Sequence, residues 1–240
     1  MLAYQAVFKR YETKYKITRA QKQKLLEAMA PYMALDKYGR TTIRNIYFDT
    51  DHYRLIRRSI EKPMYKEKLR IRSYRQANPD SPVFVELKKK YDGVVYKRRL
   101  SMTEQQAMDW ICYGGTPPED TQIAREIDYF LEFYQDLRPK VFLSYEREAF
   151  YSLDGSDFRV TFDDQIRCRR EGLSLELPPG GDLLLPEDLV LMEVKCSGGM
   201  PLWMVQTMTQ EHIFRTPFSK YGTAYQTIIF PERKGEFRYA

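Results

Sequence analysis

The sequence predicts an α+β protein built on a closed, antiparallel, eight-stranded β-barrel with helices packed outside it. Three observations carry this expectation. Segment after segment alternates apolar with charged or hydroxylated residues at a period of two, the pattern of strands with one buried and one polar face. The segments follow one another in an antiparallel-looking order, with Asp92-Gly93 as a hairpin turn between two of them. Their polar faces mix carboxylates with cations, which an open, wet sheet leaves unexplained and an enclosed polar interior accounts for.

Met64 to Tyr74 shows the pattern most clearly. As a strand it places Lys66, Lys68, Arg70 and Arg72 on one face and Tyr65, Leu69 and Ile71 on the other. Four cations in one row call for an anion if the row is enclosed, and water and salt screen them if it is not.

The remaining elements follow in order. Val7 to Ile17 alternates Val7, Lys9, Tyr11, Thr13, Tyr15 and Ile17 against Phe8, Arg10, Glu12, Lys14 and Lys16. Thr18 and Gln21 form a capping box for a helix to about Met33, and Thr42 to Asp49 is a second strand. Asp49 to about Ser59 is a turn or short helix containing His52, a surface residue. Val83 to Lys90 sets Val83, Val85 and Leu87 against Phe84, Glu86, Lys88 and Lys90, and Val94 to Leu100 brings Lys97 and Arg99 together. Ser101 and Glu104 suit a capping box for a helix to about Tyr113. A longer helix from about Asp120 to Leu137 carries the stripe Ile123, Ile127, Phe130, Leu131 and Tyr134, read as core.

Val141 to Phe150 puts Tyr145 and Arg147 on one face, and Phe158 to Asp163 puts Arg159, Thr161 and Asp163 on another. Ile166 to Glu171 adds a basic strand, and Leu189 to Cys196 carries Glu193 and Lys195 on one side. Pro201 opens a helix to about Phe214, and Ser219-Lys220-Tyr221 follows. Trp110 and Trp203 fall on helices as packing residues, and Cys196 has the parity of an inert core thiol. No linker splits the chain, so residues 1–240 are expected to form a single domain.

Composition bounds the chemistry. The chain has 240 residues, 39 Lys plus Arg against 33 Asp plus Glu, and a net charge of +6, which suits an anionic partner. Three cysteines without CxxC spacing and only two histidines argue against structural zinc and for a reducing, cytoplasmic setting. Neither a signal-peptide core nor an apolar run of about 20 residues is present, so no membrane segment is expected.

The ordered set Glu12-Thr-Lys14-Tyr15, Tyr47-Phe-Asp-Thr50, Lys68-Leu-Arg70-Ile-Arg72, Glu86-Leu-Lys88, Ser144-Tyr145-Glu-Arg147, Arg159-Val-Thr-Phe-Asp163, Met192-Glu193-Val-Lys195 and Ser219-Lys220-Tyr221 resembles the catalytic domain of the vacuolar transporter chaperone family, one of the triphosphate tunnel metalloenzymes. The resemblance covers nearly the whole chain. It implies a tunnel in which polyphosphate is made from ATP with Mn²⁺ or Mg²⁺. Lys14, Arg70, Arg72, Lys88, Lys97, Arg147, Arg159 and Lys220 are then expected to hold phosphate, with Tyr145, Ser219, Lys68 and Lys195 beside the substrate. Glu193 is the expected metal ligand, with Glu12 and Glu86 as further carboxylates. The wider superfamily opens with Glu-x-Glu-x-Lys, whereas Arg10 stands first here, and this favours the polymerase branch.

Two rivals remain. A triphosphatase on the same scaffold would use water as the attacker, and a non-catalytic protein would only bind polyphosphate or nucleic acid. Nucleic acid is not expected, because most aromatics have the parity opposite to the cations. The expected partners are ATP and inorganic polyphosphate, and a membrane protein of another chain could recruit the domain.

Overall fold

The structure, a computed structural model, describes residues 11–92 and 94–232. Val7 to Arg10 of the first expected strand and Gly93 of the expected hairpin lie outside the described residues. The chain begins with β1 (Tyr11–Thr18), α1 (Arg19–Met29), β2 (Met33–Leu35) and β3 (Thr41–Asp49). Next come α2 (Arg54–Ile60) and the long strands β4 (Tyr65–Tyr74), β5 (Pro82–Tyr91) and β6 (Val94–Thr103). Helices α3 (Glu104–Tyr113) and α4 (Gln122–Tyr134) lead to β7 (Arg138–Ser152) and β8 (Arg159–Arg169). Then follow β9 (Asp182–Leu183), β10 (Leu189–Cys196), α5 (Leu202–Gln210), α6 (Lys220–Ala224) and a π-helical turn, Tyr225–Ile229.

These elements form two compact units. The first holds the residues up to 41, 145–166 and 185–218; the second holds 42–144, 167–184 and those from 219 on. In the first unit β1 pairs antiparallel with β10 and β10 with β8, while β2 adds to the C-terminal part of β7. Tyr15, Ile17, Val160, Phe162, Val190, Met192 and Val194 turn one face of these strands into a core with Leu25 and Met29 of α1 and Met204 and Met208 of α5. The other parity is left to Glu12, Lys14, Arg159, Thr161, Glu193 and Lys195.

In the second unit β3, β4, β5 and β6 are successive antiparallel neighbours. Leu69, Ile71, Val83, Val85 and Leu87 are wholly buried against α3 and α4, where Ala107, Trp110, Ile127 and Phe130 close the core. Burying each large apolar side chain stabilises by roughly 1.5–3 kcal/mol. A one-residue slip of register would forfeit that along a whole strand, so the cations are held on the opposite face. Glu67 is the exception, a buried carboxylate on the apolar parity. It accepts hydrogen bonds from the hydroxyls of Tyr65 and Tyr134, the latter at 2.6 Å. Burial and this carboxylate push both phenols upward.

The expected barrel closure is corrected. The hydrogen-bonded order is β1-β10-β8-β7-β3-β4-β5-β6, and no ladder among the described residues joins β1 to β6. The antiparallel, helix-flanked sheet is as expected, but among the described residues no ladder closes it. Alternation reports which face a residue occupies and says nothing of which edges meet. The outer edge of β1 is occupied within its own unit: Tyr15 bridges Arg215, and the Thr216 amide donates to the Lys14 carbonyl at 2.8 Å.

Several boundaries also move. α1 stops at Met29, not near Met33, because Pro31 has no amide to continue the helix. The segments read as Phe158 to Asp163 and Ile166 to Glu171 are one strand, β8, carried through a left-handed residue at Gln165 (φ +47°). Pro201 opens α5 as its N-cap, and the helix ends at Gln210, not near Phe214. The capping box of α3 is Thr103 with Gln106, not Ser101 with Glu104: the Thr103 hydroxyl accepts from the Gln106 amide at 3.2 Å, and the Gln106 side chain accepts from the Thr103 amide at 3.0 Å. Thr103→Ala is expected to destabilise by about 1 kcal/mol, with Ser101→Ala near neutral. A urea titration of the two variants checks the order.

Candidate functional site

The first unit gathers a mixed-charge face from β1, β10, β8 and β7. Register sets Glu12 beside Lys195 and Lys195 beside Arg159; in the next row Lys14 stands beside Glu193 and Glu193 beside Thr161. Glu193 is buried and takes ion pairs from Lys14 at 3.4 Å, Lys195 at 3.6 Å and Arg147 at 3.7 Å. Lys14 also reaches Glu12 at 3.4 Å. Arg147 grips Asp163 with two parallel bonds, Nε to Oδ1 at 2.6 Å and Nη2 to Oδ2 at 2.7 Å, and its guanidinium lies 5.1 Å from the Tyr145 ring centre. Burial alone would lower the Arg147 guanidinium, but Asp163, Tyr145 and Glu193 outweigh it and hold the charge on.

The second unit builds a more cationic face on β4, β5 and β6. Tyr47, Arg70, Glu86 and Arg99 form one cross-strand row, and Asn45, Arg72, Phe84 and Ser101 form the row beside it. Arg70 donates from Nε to Glu86 at 2.8 Å and from Nη1 to the Tyr47 hydroxyl at 2.8 Å. Arg99 and Lys97 also meet Glu86, Lys97 at 2.7 Å. Arg72 donates to Asn45 at 2.9 Å, and Asn45 is anchored on the Leu143 carbonyl. Burial would raise the Glu86 carboxyl, yet the charges of Arg70, Arg72 and Lys97 hold it far below its ordinary range.

On the other side of the Glu86 row, Lys68 stands opposite Lys88 and Lys88 opposite Lys97. Like charges directly across a sheet are destabilising. At the roughly 5 Å of directly opposite residues the repulsion is about 0.8 kcal/mol in water and about 3.3 kcal/mol at an effective dielectric near 20. Lys68 also lies 3.4 Å from the hydroxyl of Ser219, the N-cap of α6, which carries Lys220. Tyr221 of α6 packs on Tyr47 with ring centres 4.9 Å apart and donates to the buried Asp49.

Among the expected residues, Lys14, Tyr145, Arg147, Arg159, Glu12, Glu193 and Lys195 thus belong to the first unit. Lys68, Arg70, Arg72, Glu86, Lys88, Lys97, Ser219 and Lys220 belong to the second. Tyr47, Arg99 and Thr161 join these faces without having been singled out. Each carried a sequence signal: Arg99 its parity with Lys97, Thr161 its parity with Arg159 and Asp163, and Tyr47 its place in the Tyr47-Phe-Asp-Thr50 motif. Aromatics do enter the cationic face: Arg99 lies 4.2 Å from the Phe84 ring centre and Arg70 5.7 Å from that of Tyr47. Their rings are engaged by the chain's own arginines, and Tyr47 and Tyr145 are buried.

The VTC domain matches the sequence over residues 9–229. The chain belongs to the VTC domain family. Solved structures place this VTC domain in a wider fold. It is similar to a candidate adenylate cyclase from Bacillus halodurans, with 14% identity, 87% of this chain and 92% of that one covered, and a TM-score of 0.53. It is also similar to a candidate adenylyl cyclase from Hippeastrum described as having a dominant triphosphatase activity, with 14% identity, coverage of 90% and 96%, and a TM-score of 0.52. No curated protein sequence matches the chain significantly.

Among the described residues no three His, Cys, Asp or Glu side chains cluster as a metal cage. Glu86, whose two oxygens are held at 2.6–2.8 Å by Arg70, Arg99 and Lys97, does not fit, whereas the cations around Glu193 stand back at 3.4–3.7 Å. Glu193 and Glu12 do fit a Mg²⁺-like mode of one or two carboxylates completed by substrate phosphates. Both flank Lys14, and next to Glu193 in register the Thr161 hydroxyl is buried without a hydrogen-bond partner.

Lys97 supplies a pH signature. Burial pulls its ammonium down to about 8 against the pull of Glu86. If Lys97 holds phosphate, as the resemblance implies, only its charged form does so, and tripolyphosphate affinity falls as pH rises through about 8, by up to about tenfold per unit. Lys97→Arg should flatten the profile. Stability runs the other way: the folded value lies below the unfolded one, so the cost of the partly desolvated ammonium, on a side chain still 42% exposed, is present below about pH 8 and is relieved above it. Calorimetry between pH 7 and 9 on both proteins checks the binding profile.

Proposed function

We propose that this chain works as one domain, a metal-dependent polyphosphate polymerase that transfers the γ-phosphoryl group of ATP to a growing phosphate chain. The observation that carries the reading is the row Lys68–Lys88–Lys97 beside the Arg70–Glu86–Arg99 row, a cationic surface whose internal repulsion a phosphate chain would relieve. Arg70, Arg72, Lys88, Lys97 and Lys220 of the second unit, and Lys14, Arg147 and Arg159 of the first, would bind phosphate oxygens. Lys68, Lys195, Ser219 and Tyr145 would orient the substrate. Glu193 and Glu12 would hold Mn²⁺ or Mg²⁺.

Phosphoryl transfer needs positioning and charge neutralisation more than covalent help from the protein. A terminal phosphate oxygen of the chain attacks the γ-phosphorus of ATP, a new P–O bond forms, the bond to the β–γ bridging oxygen breaks, and ADP leaves. Arginines already fixed by Glu86, Tyr47 and Asp163 require little reorganisation as charge shifts onto the leaving group. The bound metal would neutralise part of the triphosphate charge.

A triphosphatase is the second reading, and the activity described for the Hippeastrum protein favours it. The side chains do not select the attacking oxygen, so water in place of a phosphate chain gives hydrolysis. Incubation with ATP and Mn²⁺, followed by a gel stained for polyphosphate and an assay of free phosphate, separates the two. Polymer with matching ADP supports the polymerase. Free phosphate without polymer establishes hydrolysis, and neither product ends both readings.

A further inference from the structure

Resting on the reading of the second unit's cationic face as a triphosphate site, we propose that Lys62, Lys66 and Lys90 form a separate subsite for the distal part of a long inorganic polyphosphate chain. The register of β4, β5 and β6 sets out four rows on that face. Arg72–Phe84–Ser101 is followed by Arg70–Glu86–Arg99, then Lys68–Lys88–Lys97, then Lys66–Lys90–Val95. Each step of two residues advances about 7 Å, so the stripe from Arg72 to Lys66 runs about 20 Å. A triphosphate is too short to cover it.

The fourth row differs from the others in its charge balance. Glu86, the acidic residue of the four rows, serves Arg70, Arg72, Arg99 and Lys97. Among the described residues no carboxylate forms an ion pair with Lys62, Lys66 or Lys90. Lys66 and Lys90 face each other directly, and both are partly buried, which weakens the screening that a solvated pair would enjoy. Lys62 stands two residues beyond the last residue of α2, and the Lys66 ammonium reaches the Ser59 carbonyl of that helix at 3.4 Å. Burial and the charges of Lys90 and Lys62 push Lys66 below its ordinary range.

The chemistry selects a linear polyanion. The row offers ammonium groups and Val95, while Tyr65, Tyr91 and Tyr96 of the same strands have the opposite parity, so a base would find no ring to stack on. Lysine ammonium groups act as point charges without fixed geometry, which suits a flexible chain that slides by one phosphate at a time.

The test compares tripolyphosphate with long-chain inorganic polyphosphate by calorimetry at fixed ionic strength. The proteins are the unmodified chain, Lys62→Gln/Lys90→Gln, Lys66→Gln and the charge-preserving Lys90→Arg. Loss of the subsite is expected to weaken the long chain about tenfold and tripolyphosphate less than twofold, with Lys90→Arg close to the unmodified protein. Long-chain affinity unchanged in both Gln variants, or an equal fall for both ligands, overturns the subsite and leaves the triphosphate reading standing. If the unmodified chain binds neither ligand, both fall. Thermal melting of each variant identifies a loss due to unfolding, in which case the other Gln variant decides.

Discussion

Arg70→Ala is expected to lower ATP turnover by about 10²–10³-fold while the protein stays folded. Arg70 binds Glu86 through Nε and Nη2, at 2.8 and 2.7 Å, and its third contact orients it on the Tyr47 hydroxyl. Removing it takes away a preorganised cation that phosphoryl transfer would use. Glu86 keeps Lys97 at 2.7 Å and Arg99 as partners, so the buried carboxylate is not left alone. The signature is therefore a fall in turnover without a matching fall in the urea midpoint. Full turnover in Arg70→Ala would remove this face from the chemistry, and unfolding would show that Arg70 is structural first.

Arg147→Ala is expected to destabilise the first unit by about 3–5 kcal/mol, the usual cost of stranding one partner of a buried pair. Asp163 is 0% exposed and receives both guanidinium bonds, and Glu193 stands 3.7 Å from the same group. Truncation removes both guanidinium bonds from a carboxylate that is 0% exposed. Arg147→Lys keeps a charge but lacks the planar fork, so an intermediate loss is expected. Equilibrium unfolding of the two variants decides: a loss below about 1 kcal/mol for the alanine variant would mean that solvent reaches Asp163.

The two expectations differ because their carboxylates differ in supply. Glu86 has several cationic partners and tolerates the loss of one. Asp163 takes both bonds of its bidentate pair from a single guanidinium, that of Arg147. Neither fact follows from alternation, since parity placed Arg70 and Arg147 in equivalent positions.

Face membership was legible in most positions, with Glu67 on the buried parity of β4 the exception. Leu69 and Ile71 are buried while Arg70 and Arg72 share the polar face with Glu86, and Val194 and Met192 are buried while Lys195 accompanies Glu193 on the other side. Period-two alternation is a local property, and burial of the apolar parity dictates the polar one. Helix starts were legible where a cap and its partner stand three apart, as at Thr18 and Gln21. They were misread at Ser101, where Thr103 with Gln106 competes at the same spacing and β6 runs on to Thr103.

What the sequence by itself determined is the set of cations and carboxylates assigned to polar strand faces, the apolar parity that buries each strand, and the ordered motifs that mark the VTC domain. The tertiary structure decided the rest. Cross-strand register gave Glu86 to arginines and Lys97 instead of to a metal, set Lys66 against Lys90, and left the Thr161 hydroxyl buried beside Glu193. Edge contacts were decided there too, with Arg215 and Thr216 on the outer edge of β1. The physical reason is range: alternation and capping act over a few residues of one chain segment, whereas register, ion-pair partners and edge pairing depend on which distant segments come together.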